Sequence, residues 1–175
     1  MAKYKFKSDL SVDGITNLRK QLQDYKNNTL QTKLKEFVRR LAEEGVEVAQ
    51  GNIASLEAIF TGELFNSIHA RDGGSTKDSA IFFVVADSEH AAFVEYGTGQ
   101  RGEENPYPYD FPEGVQWDYN SGSTIIEFSP GEYGWFYPRD EKWYFTQGMP
   151  SRPFMYETAI TLSQRVKKIA KEVFG

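Results

Sequence analysis

Residues 30–53 read LQTKLKEFVRRLAEEGVEVAQGNI. Leu30, Leu34, Phe37, Val38, Leu41, Gly45, Val48, Ala49 and Ile53 recur at intervals of three and four, which predicts one long amphipathic helix from Leu30 to Ile53. Lys33, Arg40, Glu43, Glu44 and Glu47 fall on the opposite side. Gly45 lies within the apolar stripe, where a missing side chain lets a neighbouring element come close.

A second long helix is predicted at the other end of the chain. Ser151-Arg152-Pro153 supplies a capping residue and a proline in the first turn, where its missing N–H costs nothing. Thr158, Leu162, Val166, Ile169, Ala170 and Val173 form the buried stripe, and Arg165, Lys167, Lys168 and Lys171 suit the negative end of the helix dipole. Ahead of residue 30, Ile15, Leu18, Leu22 and Tyr25 share a helical face with Asp13 as N-cap, and Asn27-Asn28 breaks that helix.

Between the helices the pattern shortens. Glu63 to Ala70 reads as a strand entered through the Gly62 turn, a short helix being the alternative. Asp72-Gly73-Gly74-Ser75 is a turn of the kind that joins antiparallel strands. Residues 80–86, AIFFVVA, have the composition of a central strand covered on both faces. Ser88 caps a short helix through Glu95 that Gly97 ends. Residues 99–121 read as a long loop, and Ser123–Phe128 with Lys142–Thr146 as a hairpin projecting from the main sheet. The expected class is α+β: one domain over 1–175, with an antiparallel sheet packed by long N-terminal and C-terminal helices and an acidic, aromatic lobe inserted at about 100–148.

The chain has 175 residues, enough to bury roughly 70 % of its unfolded surface, and no cysteine, which excludes disulfides and thiolate metal sites. The basic N-terminus precedes no apolar run of signal-peptide length, and Ala80–Ala86 is too short to span a bilayer, so a soluble chain without a membrane partner is expected. Net charge is −5 but uneven: Asp87 to Lys142 holds twelve acidic and three basic residues, a balance of −9, and the remainder is +4. An acidic middle argues against binding a phosphate backbone there.

The chemistry-bearing residues form no familiar catalytic pattern. Gly97-Thr98-Gly99-Gln100-Arg101-Gly102 matches GxGxxG by letter, but a helix precedes it and Glu103-Glu104-Asn105-Pro106 follows, which is wrong for cradling phosphate. His69 and His90 lack metal-site spacing, and no cofactor is expected. Ser67 and Ser88 lack a nucleophile elbow. Glu103, Glu104, Asp110, Glu113 and Asp118 leave open a small metal-dependent hydrolase or nuclease, although their spacing fits neither an EF-hand nor a phosphoryl-transfer signature. Tyr107, Tyr109, Trp117, Trp135, Tyr137 and Trp143 are interleaved with acids rather than with Lys and Arg. They read either as the core of the inserted lobe or as a protein–protein patch, as in an adaptor or inhibitor module.

Three segments resemble the tail-completion family (head–tail joining, minor tail component) of long-tailed bacteriophages. They are Thr61-Gly62-Glu63-Leu64-Phe65-Asn66-Ser67-Ile68, Ala91-Ala92-Phe93-Val94-Glu95-Tyr96-Gly97-Thr98, and Pro150-Ser151-Arg152-Pro153-Phe154-Met155. The resemblance covers the chain apart from about 100–148 and implies a non-enzymatic virion component. Its partners would be the tail-tube and neck or head-closure proteins, in a homo-oligomeric ring with DNA only as passing cargo. It would be made in the bacterial cytoplasm and carried in the virion. Glu95 is poorly placed for the dipole of its own helix, so it is expected to accept hydrogen bonds from backbone or a basic partner and to fix the Gly97-Thr98 turn. Arg165 and Lys168 on the basic C-terminal helix are expected to meet the acidic middle of a neighbouring copy.

Overall fold

A computed structural model describes residues 5–56, 58, 62–76, 78–120 and 125–175. The class is α+β with antiparallel pairing, its strands divided between two small sheets rather than gathered in one. The chain clusters into two units. No helix among the described residues is long and apolar enough to cross a membrane.

The first unit comprises the chain up to Val48, His69–Val85 and Ala159–Gly175. Helix α1 (Val12–Asp24) is capped by Ser11 rather than Asp13. Ser11 has extended backbone and its Oγ accepts from Gly14 N at 2.9 Å, while Asp13 falls in the first turn, where its charge suits the dipole. Asn27-Asn28 does not break the rod. Tyr25–Leu30 forms a π-helical turn leading directly into α2 (Gln31–Ser55), and Asn28 Nδ2 donates to Asp24 Oδ1 at 2.7 Å.

The early part of α2 runs antiparallel to the later part of α6 (Phe154–Phe174). Lys33 Nζ donates to Val173 O at 2.9 Å, Arg40 pairs with Glu172 at 2.6 Å, and Arg165 pairs with Glu44. Ala42 and Ile169 are buried here. Gly45 does what its place in the stripe implies: a Cβ on it would lie 2.6 Å from Val84 Cγ2 and 3.0 Å from Leu162 Cδ1.

Strands β1 (Ile68–Ser75) and β2 (Ala80–Ala86) pair as a two-stranded sheet. Asp72-Gly73-Gly74-Ser75 belongs to β1, and the chain turns later, where Thr76 N donates to Ser79 O at 2.8 Å. Gly73 lets the ring of Phe83 and the side chain of Ile81 lie over the strand, which a Cβ would obstruct. The expectation of a central strand covered on both faces fails. Among the described residues β2 has one strand neighbour, and Ile81 and Phe83 are exposed.

The second unit comprises Ala49–Ile68 and Ala86–Thr158. Residues 63–70 are not one strand: Glu63–Ser67 forms the short helix α3 and β1 starts at Ile68. Leu64 is buried within this short helix and Ile68 at the start of the strand. Helix α4 (Ala91–Tyr96) has His90, not Ser88, at its N-cap. Ser88 Oγ accepts from His90 N at 3.3 Å, one step ahead of the helix. Part of the expected loop after residue 99 is helix α5 (Gly99–Glu104). The hairpin becomes an antiparallel sheet of β3 (Ile126–Ser129), β4 (Glu132–Arg139) and β5 (Lys142–Thr146), and β4 is the added strand. Ser123 and Thr124, placed in the first strand by the sequence, lie outside the described residues. Gln100 ties this sheet to α5: its Nε2 donates to Gly131 O at 3.1 Å and its Oε1 accepts from Tyr133 N at 2.9 Å.

Candidate functional site

A set of buried polar contacts joins α4 to the start of α6, within the second unit. Glu95 is buried, and its carboxylate accepts from Met155 N at 2.8 Å and Tyr156 N at 3.1 Å. Phe154 N donates to Arg152 O and Glu157 N to Pro153 O, so the first four N–H groups of α6 all have partners. Ser151 does not cap the helix; its Oγ donates to Glu95 O at 2.6 Å. Burial raises the Glu95 carboxyl above its ordinary range; the Met155 and Tyr156 N–H groups oppose that shift and the Glu157 carboxylate adds to it.

Glu95 therefore accepts backbone hydrogen bonds as expected, but it does not fix the turn that follows it. Thr98 and Met149 hold that turn by exchanging hydrogen bonds at 2.9 and 3.0 Å, and Trp117 Nε1 donates to Gly97 O at 2.9 Å. Gly97 has φ +84°, and a Cβ there would lie 2.7 Å from Ser151 N. The glycines of the GxGxxG string thus serve close packing: a Cβ at Gly99 would meet Gln147 O and the Trp135 ring, and one at Gly102 would meet Tyr119.

Aromatic rings cover this junction. Tyr96 sits 5.0 Å from Tyr107, 5.0 Å from Trp117 and 5.4 Å from Phe111, centroid to centroid. Tyr109 stacks on Tyr156 at 3.8 Å and its hydroxyl donates to Glu157. Tyr107 is buried, and desolvation, reinforced by Glu95 and the neighbouring phenols, pushes its hydroxyl up to about 12. The aromatics singled out in the sequence thus divide. Tyr107, Tyr109 and Trp117 pack on α4 and α6, whereas Trp135, Tyr137 and Trp143 belong to the β3–β5 sheet.

Gly62, Leu64, Ser67 and Ile68 lie in or beside α3; Gly62 has φ +78° at its N-cap, and Thr61 lies outside the described residues. Leu64, Ile68, Val94 and Phe154 are core, with Pro153 immediately before α6. Arg165 is drawn to Glu44 of its own chain, and Lys168 is exposed. The loop carboxylates do not converge: Glu103 accepts from Asn120 Nδ2, Glu104 from Gln100 at 3.2 Å and Asp118 from Asn120 N, and Asp110 and Glu113 are exposed. Among the described residues no three His, Cys, Asp or Glu side chains are placed to share a metal ion. The Tyr109–Glu157–Tyr156 group was not read from the sequence. Its signal is weak, because Tyr156 and Glu157 look like ordinary first-turn helix residues.

No family model matches the chain, and no solved structure matches it. It is similar, at 26 % identity over 66 residues, to peptidylprolyl isomerase domain and WD repeat-containing protein 1 of Homo sapiens and of Mus musculus. The match covers 38 % of this chain and 9 % of each of those proteins, and no family follows from it.

Proposed function

We propose that this chain is a structural virion protein of a long-tailed phage or prophage, one that completes the tail or joins it to the head through protein–protein contacts. The observation supporting this reading is that the described residues of the three segments carrying the resemblance lie in one unit. Leu64, Ile68, Val94 and Phe154 are each buried, Arg152 N donates to Val94 O at 2.8 Å, and Glu95 caps α6. The second and third segments, far apart in sequence, build one junction, and the described part of the first lies in the same unit. Glu95, Gly97 and Pro153 then have architectural roles in that junction.

Its partners in this reading are the tail-tube and neck or head-closure proteins, in a ring around the DNA path. The acidic middle keeps passing DNA from adhering. Inactivating the gene in its genome of origin tests the reading. Electron micrographs of lysates are expected to show filled heads and tails that fail to join, with the protein present in purified wild-type virions by mass spectrometry. Normal infectious particles from the inactivated strain would overturn it. So would tight, salt-sensitive binding of duplex DNA to the purified protein overturn the passing-cargo role.

A further inference from the structure

Tyr109 lies in the connection after α5 and Tyr156 in the first turn of α6, both within the second unit. Their rings are stacked, with centroids 3.8 Å apart and planes inclined by 20°. Among the described residues the other tyrosine pairs meet differently. Tyr107 stands edge-on to Tyr96, Tyr109 and Tyr156 at 5.0, 5.5 and 6.2 Å, and Tyr137 and Tyr144 are 6.0 Å apart across β4 and β5. In a stack the ring carbons of both phenols are in van der Waals contact, whereas an edge-on ring presents its hydrogens to a face. Tyr109 also has a proton acceptor, because its hydroxyl donates to the Glu157 carboxylate. That hydrogen bond, with desolvation and the Glu157 charge, raises the Tyr109 hydroxyl above the ordinary phenol value, so near neutral pH it is a protonated phenol held against a base. A phenol that gives up an electron must also give up its proton, and a positioned carboxylate takes that proton as it leaves. Both rings are half-buried, within reach of an oxidant in solution.

We propose that Tyr109 and Tyr156 are a modification site: a one-electron oxidant couples them through a carbon–carbon bond that fastens the connection after α5 to the head of α6. Tyr109 gives one electron to the oxidant and its hydroxyl proton to Glu157. Tyr156 gives one electron to a second equivalent of oxidant and its hydroxyl proton to water. The two phenoxyl radicals pair their odd electrons in a bond between ring carbons next to the oxygens. Each of those carbons then releases its hydrogen as a proton and each oxygen takes one up, which restores both hydroxyls. Overall the chain loses two electrons and two protons, and the oxidant carries the electrons away. The stack makes the step intramolecular, which favours it over collision between chains. The chain has no cysteine, so this is a covalent staple open to it where a disulfide is not. The site rests on this pair and its carboxylate and does not depend on the virion reading.

Illumination of the full chain, at low micromolar concentration, with ruthenium tris-bipyridine and persulfate tests it, the photogenerated ruthenium(III) being the oxidant. The expected product is a single chain lighter by two hydrogen atoms, with dityrosine fluorescence and a dominant linked peptide pair in its digest that joins Tyr109 to Tyr156. Tyr109→Phe and Tyr156→Phe keep the stacked rings, so each is expected to keep the wild-type circular dichroism and to cut the initial rate of fluorescence gain at least about tenfold. Glu157→Gln keeps an oxygen that accepts from Tyr109 but removes the base, and it is expected to slow the coupling about tenfold or more. In urea, where the rings are no longer held together, the preference for this pair is expected to vanish. A digest without the linked pair, coupling that prefers Tyr137 and Tyr144 or runs between chains, Phe variants that couple like wild type, or a preference that survives urea would each overturn the site. A Glu157→Gln chain as fast as wild type would overturn the part given to the carboxylate.

Discussion

The Glu95 carboxylate accepts the backbone N–H of Met155 at 2.8 Å, so a residue at the end of one short helix caps the start of a long one. With the Tyr156 N–H on its second oxygen, the side chain spans both N–H groups that the approaching chain leaves open. It also places its charge at the positive end of the α6 dipole, the reverse of its poor position on α4.

Glu95→Ala removes both acceptors from a buried site and leaves two N–H groups without partners, at an expected cost of about 2–4 kcal/mol. Glu95→Gln keeps one oxygen but turns an amide donor toward the other N–H, at an expected cost of about 1–2 kcal/mol. Urea unfolding of the three proteins should rank them wild type, Gln, Ala. An Ala variant as stable as wild type would mean that the cap contributes nothing.

The same carboxyl carries a pH signature. Its folded pKa lies above the ordinary 4.5, because burial outweighs the two N–H bonds. Between the unfolded and folded pKa values the folded state holds more protons, so stability falls as pH rises through that interval and then levels. Glu95→Gln lacks this titration. The stability of wild type relative to Glu95→Gln is therefore expected to decline as pH rises from the ordinary carboxylate range and to flatten once the raised folded pKa is passed. Urea midpoints measured for both proteins across that range check it, and a relative stability that rose with pH would contradict the sign.

Gly97 and Gly51 should respond oppositely to alanine. Gly97 has φ +84° and ψ 165°, a region essentially reserved for glycine, and its Cβ would press on the backbone of residues 149–151. Gly97→Ala is expected to cost about 2 kcal/mol or more. Gly51 lies inside α2 with open space around its Cβ position, so Gly51→Ala is expected to gain about 0.5–1 kcal/mol. Thermal unfolding of the pair separates conformational demand from helix propensity.

Long-period features were legible in the sequence because one repeating stripe specifies them. The helices around residues 31–55 and 154–174 and the close approach at Gly45 follow from spacing, and the stop at Gly97 from the glycine itself. Local decisions that depend on distant neighbours were not. Asp72-Gly73-Gly74-Ser75 has turn composition, yet Gly73 stays in the strand because Phe83 and Ile81 lie over it. Tyr133 to Tyr137 forms a strand because β3 and β5 pair with it on either side, not because the string itself alternates. At the junction, a carboxylate poorly placed for the dipole of its own helix signalled that Glu95 would find donors, but nothing local named Met155 and Tyr156.

Gly45 offers a test in which packing and propensity oppose each other. Alanine in the middle of α2 gains about 1 kcal/mol of helix propensity. Its Cβ would also fall 2.6 Å from Val84 Cγ2 and 3.0 Å from Leu162 Cδ1, so the strand and α6 must give way. Overpacking of this kind costs about 1–3 kcal/mol, and the net effect of Gly45→Ala is expected to be destabilising. Val84→Ala alone removes two methyl groups and should also destabilise, by about 1–2 kcal/mol. Combined, the new methyl at 45 fills space vacated at 84, so the double variant should be more stable than the sum of the single effects, with a coupling of about 1 kcal/mol or more. Strict additivity in denaturant unfolding would show that α2 and β2 do not meet at these two residues.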